Sequence, residues 1–147
     1  MKTPTHHIIE TFVKIDKQHS QLWEKALKEV ETVKIVKTTD PRLKGIAATL
    51  KRIHAKEKEC YLNSIGCVMR NHEIEYVEGY LEVEGVPIEH AWNCWNGIHF
   101  DLTEEKLGTQ SKYPHRKIMK CPGREALQFA MLNFQSGPYL FDWLDKK

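Results

Sequence analysis

No apolar run in the 147-residue sequence approaches the roughly 20 residues that a membrane-spanning helix needs. Met1 to Glu10 lacks the basic-then-apolar order of a secretory signal peptide. These two absences predict a cytoplasmic protein, or one acting in the host cytoplasm if a virus or phage encodes it. Cysteine is scarce, and without an export signal Cys60, Cys67, Cys94 and Cys121 are expected to be reduced thiols. No Cys-x-x-Cys or His-Glu-x-x-His is present, so a zinc site would have to draw on scattered ligands such as Cys94, His99 and Cys121. No metal and no cofactor is therefore predicted, and His6-His7 is expected to lie in a flexible terminus. A phosphate-cradling glycine loop is also missing. Lys+Arg total 22 against Asp+Glu 20 with the signs interspersed, so the basic stripe of a nucleic-acid binder is absent. Neither nucleic acid nor membrane is expected as a partner. No repeat, low-complexity tract or Gly/Ser linker divides the chain, and 147 residues fit one domain.

Hydrophobic periodicity splits that domain into a helical part (about 1–72), a sheet part (about 73–121) and a C-terminal helix with a tail (about 122–147). Leu22, Ala26, Val30 and Val33 recur at helical steps, with Ser20 as the predicted N-cap. Val33 to Val36 reads as a short strand. Asp40-Pro41 pairs a capping side chain with proline at the first helical position, ahead of Leu43, Ile46, Ala47, Leu50 and Ile53. A short helix is expected after Cys60. Ile74 to Glu84, Ile88 to Trp95 and Ile98 to Thr103 then read as strands, and Lys117 to Cys121 as one more. Pro122-Gly123 introduces a helix from about Arg124 to Phe134, and the aromatic tail from Gly137 to Trp143 is expected to dock on the core. The order of elements predicts an α+β fold.

Asn96-Gly97 is a strong hairpin signal, because both central residues of its turn take positive φ. A two-residue loop sets Trp95 opposite Ile98, Trp92 opposite Asp101 and His90 opposite Thr103. His90, Trp92 and Cys94 then share a face with His99, Asp101 and Thr103. Asp101 becomes the diagonal neighbour of His90, at about 7–8 Å along the backbone. A turn at Glu84-Gly85 likewise sets Gly79 opposite His90, and a glycine inside a strand marks either a bulge or a close approach. Cys60, just ahead of a helix, stands where unpaired N–H groups and the macrodipole favour thiolate over thiol. Cysteine, histidine and carboxylate in this order form an activated-nucleophile arrangement.

Cys60-Tyr61-Leu62-Asn63, Tyr76-Val77-Glu78-Gly79-Tyr80, His90-Ala91-Trp92 and Asp101-Leu102-Thr103 together resemble the transglutaminase-like branch of the papain-like superfamily. The resemblance covers Cys60 to Thr103. It implies a papain-like, transglutaminase-like fold in which Cys60 is the nucleophile, His90 the general base and then acid, and Asp101 the group that orients His90. It also implies that the Cys60 backbone N–H is one oxyanion donor. The family often takes a second donor from a polar side chain just upstream. Lys56-Glu57-Lys58-Glu59 contains no Gln, so His54 is the candidate there. Tyr80, Trp92, Gly79 and Asn63 are candidate substrate walls.

Two functions are expected on these grounds. One is thiol-dependent acyl transfer on a protein, peptide or small amide or ester, as a peptidase, amidase or transferase. The other is a binding module, an inhibitor or adaptor, that keeps the fold with Cys60 buried.

Overall fold

A computed structural model describes residues 1–109 and 112–147. The chain is α+β. Its first element is α1 (Pro4–Ile15), capped by Thr3 and started by Pro4. Helix α1 corrects the expected flexible terminus: His6 sits in its capping box, where its Nδ1 accepts from the Thr3 backbone at 2.9 Å. A 3₁₀ turn leads into α2 (Ser20–Glu29). Ser20 does not cap α2. It is the first helical residue, and its hydroxyl donates to the Val13 carbonyl at 2.9 Å, tying α2 to α1.

The strand expected at 33–36 is divided into β1 (Glu31–Val33) and β2 (Ile35–Val36), which lie at opposite edges of one sheet. Asp40 caps as predicted, accepting from Arg42 N. The segment it starts is 3₁₀ in form (Pro41–Ile46) and passes into only a short α3 (Ala47–Lys51). Helix α4 (Cys60–Arg70) begins at the cysteine itself.

Strands β3 (Glu75–Val83) and β4 (Val86–Trp95) form the centre of the sheet, in the register read from the turns: Val83 faces Val86, and Gly79 faces His90. The Asn96-Gly97 turn has φ of 50° and 77° and pairs Trp95 with Ile98. Strand β5 (Ile98–Phe100) is shorter than expected. Asp101 leaves the ladder and becomes the N-cap of α5 (Leu102–Leu107), accepting Glu104 N–H at 3.1 Å. Glu104 and Glu105 in the first turn suit the helix dipole, and Gly108 closes the helix in the left-handed region. Strand β6 (His115–Cys121) begins two residues earlier than predicted. It leads into α6 (Gly123–Asn133) and then α7 (Leu140–Asp145). The strand order is β1-β6-β3-β4-β5-β2, with the β2–β5 pair parallel and the others antiparallel.

One part of the core is built where α4 and α6 cover the sheet, around Ile65, Val68, Tyr76, Ala91, Phe100 and Phe129. Another lies under α1, α2 and α7, around Ile9, Trp23, Tyr80, Ile118 and Leu144. Leu144 is fully buried, so the aromatic tail docks as expected. No described helix is long and apolar enough to cross a membrane.

Gly79 is both bulge and close approach. The β3–β6 register shifts between Glu78 and Gly79, and a Cβ at Gly79 would lie 2.0 Å from the Arg116 carbonyl oxygen. Backbone cannot yield as a side chain can, so Gly79→Ala is expected to cost about 3 kcal/mol. Urea denaturation would show this as a lower midpoint with an unchanged slope.

Candidate functional site

Paired residues share a sheet face, and faces alternate with period two. His90 pairs with Gly79 and His115 with Leu81, so both imidazoles project from one face of the sheet. Asp101, one residue past the end of β5, reaches the same place from the neighbouring strand. His90 Nε2 lies 2.6 Å from Asp101 Oδ2, and His115 Nε2 lies 2.7 Å from the same oxygen. His90, Asp101 and His115 are 5%, 1% and 1% exposed.

Each group of this cluster is held from behind. Asp101 Oδ1 accepts the Glu104 backbone N–H, and His115 Nδ1 donates to the Tyr113 carbonyl at 3.1 Å. Trp92 lies beneath both imidazoles. Its ring is near-parallel to His90, with centroids 6.0 Å apart, and meets His115 edge-on at 5.0 Å. Trp92 Nε1 donates to His99 Nδ1 at 3.0 Å, which leaves His99 as an acceptor. Burial, followed by the charges of Lys120 and Lys117, lowers the His99 pKa to about 4, in keeping with a neutral ring.

Electrostatics hold His90 and Asp101 charged. Burial by itself would lower the His90 pKa. The charge and hydrogen bond of Asp101 and the proximity of Cys60 override it, raising the value to about 10. Burial would likewise raise the Asp101 pKa, but the two imidazoles hold its carboxyl well below the ordinary carboxylate range.

Cys60 stands at the first position of α4, half-buried, and lines a cavity of about 370 Å³ together with His90, Thr103, Glu104, Leu81 and Ile88. As the first helical residue its N–H has no intrahelical acceptor. With His90 Nε2 committed to Asp101, Nδ1 is the ring nitrogen left free. The loop ahead of Cys60 is clamped by Asn63. Its side chain accepts from Lys56 N at 3.0 Å and donates to Lys56 O and to Thr103 Oγ1, both at 2.8 Å. Asn63 thus fixes where the nucleophile candidate sits, and Lys58 within that loop has a left-handed φ of 63°.

The other sequence candidates fall elsewhere. His54 is exposed on the loop after α3 and does not line the Cys60 cavity. Trp92 is buried under the histidines and so supports them without walling a cavity. Gly79 and Tyr80 line a different cavity, against α2 and α7.

His115 is not legible as a site residue in the sequence. A final strand starting at Lys117 leaves it in a loop, and the bulge at Gly79 disguises the register that puts it beside His90. The usable signal is the alternation of His115, Ile118 and Met119 with Lys and Arg across a bulge.

Among the described residues, His90, Asp101 and His115 are the group of metal-ligand type, and Cys94, His99 and Cys121 form none. Ligands 2.0–2.1 Å from a tetrahedral zinc stand about 3.3 Å apart. The 2.6 and 2.7 Å separations are those of charge-assisted hydrogen bonds, so as folded the three groups are joined through protons. No protein-family model, curated protein or solved structure matches the chain.

Proposed function

We propose that the protein is a thiol-dependent acyl-transfer enzyme of papain-like, transglutaminase-like architecture, with Cys60, His90 and Asp101 as its triad. The observation that carries the reading is the His90 imidazole. Asp101 pins it at Nε2, and its free Nδ1 belongs to a ring lining the same cavity as a cysteine at a helix start. Catalytic hydrogen bonds of this kind tighten when substrate is bound.

In the proposed reaction the proton of the Cys60 thiol already rests on His90 Nδ1, in keeping with the raised His90 pKa, and the Cys60 sulfur attacks an amide or ester carbonyl carbon as the thiolate. The developing oxyanion is met by the unpaired N–H at the start of α4. His90 returns the proton to the departing amine or alcohol as the C–N or C–O bond breaks, leaving a thioester. Water or an amine then attacks the thioester, His90 takes its proton, and the thiolate is regenerated. Asp101 stabilises the imidazolium throughout, and His115 holds the same carboxylate oxygen in place.

Thiol reactivity tests this directly. Cys67, Cys94 and Cys121 are buried, and burial pushes their thiols to about 12, 11 and 12. With iodoacetamide at neutral pH, Cys60 is expected to carboxamidomethylate at least about ten-fold faster than these three, and His90→Ala to slow it. Equal, slow labelling of all four thiols in native protein would favour the non-catalytic binding module.

A further inference from the structure

The cavity against α2 and α7, about 310 Å³ in volume, takes no part in the proposed chemistry. Its walls are aromatic: Trp23, Tyr80 and Phe141, with Trp23 and Phe141 edge-to-face at 5.0 Å. Its carboxyl groups are those of Asp16, Glu78, Glu89 and Asp142, with burial pushing the Glu78 carboxyl up to about 7, and among the described residues His19 but no Lys or Arg lines it. Asp16 Oδ2 is occupied by Trp23 Nε1 at 3.0 Å and His19 Nδ1 at 3.1 Å. Glu78 Oε2 is occupied by the Tyr76 hydroxyl at 2.5 Å and Tyr139 N at 2.6 Å. Glu89 is exposed and has neither an ion pair nor a hydrogen-bond donor among the described residues.

An independent observation points to a ligand. Tyr80 is 3% exposed, yet its hydroxyl has no hydrogen-bond partner. A buried hydroxyl left without a partner is unfavourable and is relieved by a ligand that meets it. Tyr80 is directly paired with Glu89 in the β3–β4 ladder, so the two side chains leave the same face of the sheet from neighbouring positions.

We infer that this cavity binds an organic ammonium group carried on an aliphatic chain, the ammonium donating to Glu89 and to the Tyr80 hydroxyl oxygen. The aliphatic chain lies against the apolar side chains of Trp23 and Phe141, out of water. An anion would meet four carboxyl groups and neither Lys nor Arg among the described lining residues. A neutral apolar ligand would leave the Tyr80 hydroxyl unsatisfied, and for a hard metal ion the carboxyl oxygens of the described residues in this cavity do not converge into a ligand cluster. The site needs none of Cys60, His90 and Asp101, so it stands or falls apart from the thiol chemistry, although Glu89 also borders the Cys60 cavity.

Isothermal titration calorimetry with three probes tests the inference: Nα-acetyl-lysine N-methylamide, 1,4-diaminobutane, and the neutral Nα-acetyl-norleucine N-methylamide. Saturable one-to-one binding of the ammonium probes is expected, with none of the norleucine compound. A tighter lysine amide would identify a peptide-borne ammonium, and a tighter diamine a free amine. Tyr80→Phe and Glu89→Gln should each weaken binding about ten-fold, while Cys60→Ala leaves it unchanged. Tyr80→Phe removes a hydroxyl that has no partner, and Glu89 is exposed, so at least one variant folds normally. Equal binding of the norleucine compound, no heat from either ammonium in the millimolar range, or heats insensitive to both substitutions would overturn the proposal.

Discussion

Cys60→Ala and His90→Ala are each expected to lose acyl transfer to background, a fall on the order of 10⁴–10⁶ in kcat. Removing the nucleophile removes the thioester, and removing the base leaves the thiol proton with nowhere to go. Cys60 is half-buried at a helix start and makes no hydrogen bond that the fold depends on, so its alanine variant should melt close to wild type. His90 is different. Its loss leaves Asp101 with His115 alone, so circular dichroism must accompany the kinetics. A well-folded Cys60→Ala that retains full turnover would move the function from the thiol to the surface.

Asp101→Asn is expected to combine the largest loss of stability with a large loss of rate. Asp101 satisfies three groups at once: the His90 and His115 imidazoles and the Glu104 N–H that starts α5. An amide carries no charge to offset the buried imidazole, and breaking such a pair costs about 3–5 kcal/mol. Turnover should fall on the order of 10²–10⁴, because His90 without its orienting carboxylate still reaches a workable pose part of the time.

The pH dependence gives the same change a signature. The His90 pKa is raised from 6.5 to about 10, so its contribution to stability is full below the unfolded value and is lost as pH rises through about 10. The Asp101 pKa is lowered from 3.8, so its contribution is present above that value and is lost as pH falls through the folded pKa. The gap in melting temperature between wild type and Asp101→Asn should therefore be widest near pH 6 and shrink towards pH 10. A gap that is flat across this range would mean that Asp101 acts only as a helix cap.

Both hairpin registers are legible in the sequence because tight turns fix them. Glu84-Gly85 and Asn96-Gly97 both take the positive φ that a two-residue loop demands, and every facing pair in β3–β4 is set by the first. The start of α4 at Cys60 is legible from the charged break before it. Two further signals are present and easily passed over. Thr3-Pro4 carries the same cap-and-proline pattern as Asp40-Pro41, and it starts α1 where a flexible terminus is the simpler expectation. Asp101-Leu102-Thr103-Glu104 has the spacing of a capping box, which ends β5 at Phe100.

Other features lie beyond local reading. The division of 31–36 between opposite sheet edges depends on pairing with β6 and β5, which are far away in sequence. The bulge at Gly79 depends on the β6 backbone. His115 joins His90 and Asp101 only through that bulged pairing, so a pattern read from local spacing leaves out the third member of the cluster. The His54 candidate rests on sequence proximity to Cys60, but the Asn63 clamp on Lys56 governs how that loop runs.

The most direct measurement is the intact mass and peptide map of native protein treated with p-nitrophenyl acetate, an ester whose departing p-nitrophenolate needs little help from an acid. The predicted result is one acetyl group per chain, held as a thioester on Cys60, absent from Cys60→Ala and formed far more slowly in His90→Ala. Acetyl groups confined to lysines, with Cys60 unmodified in folded protein, would contradict the assignment of Cys60 as the nucleophile.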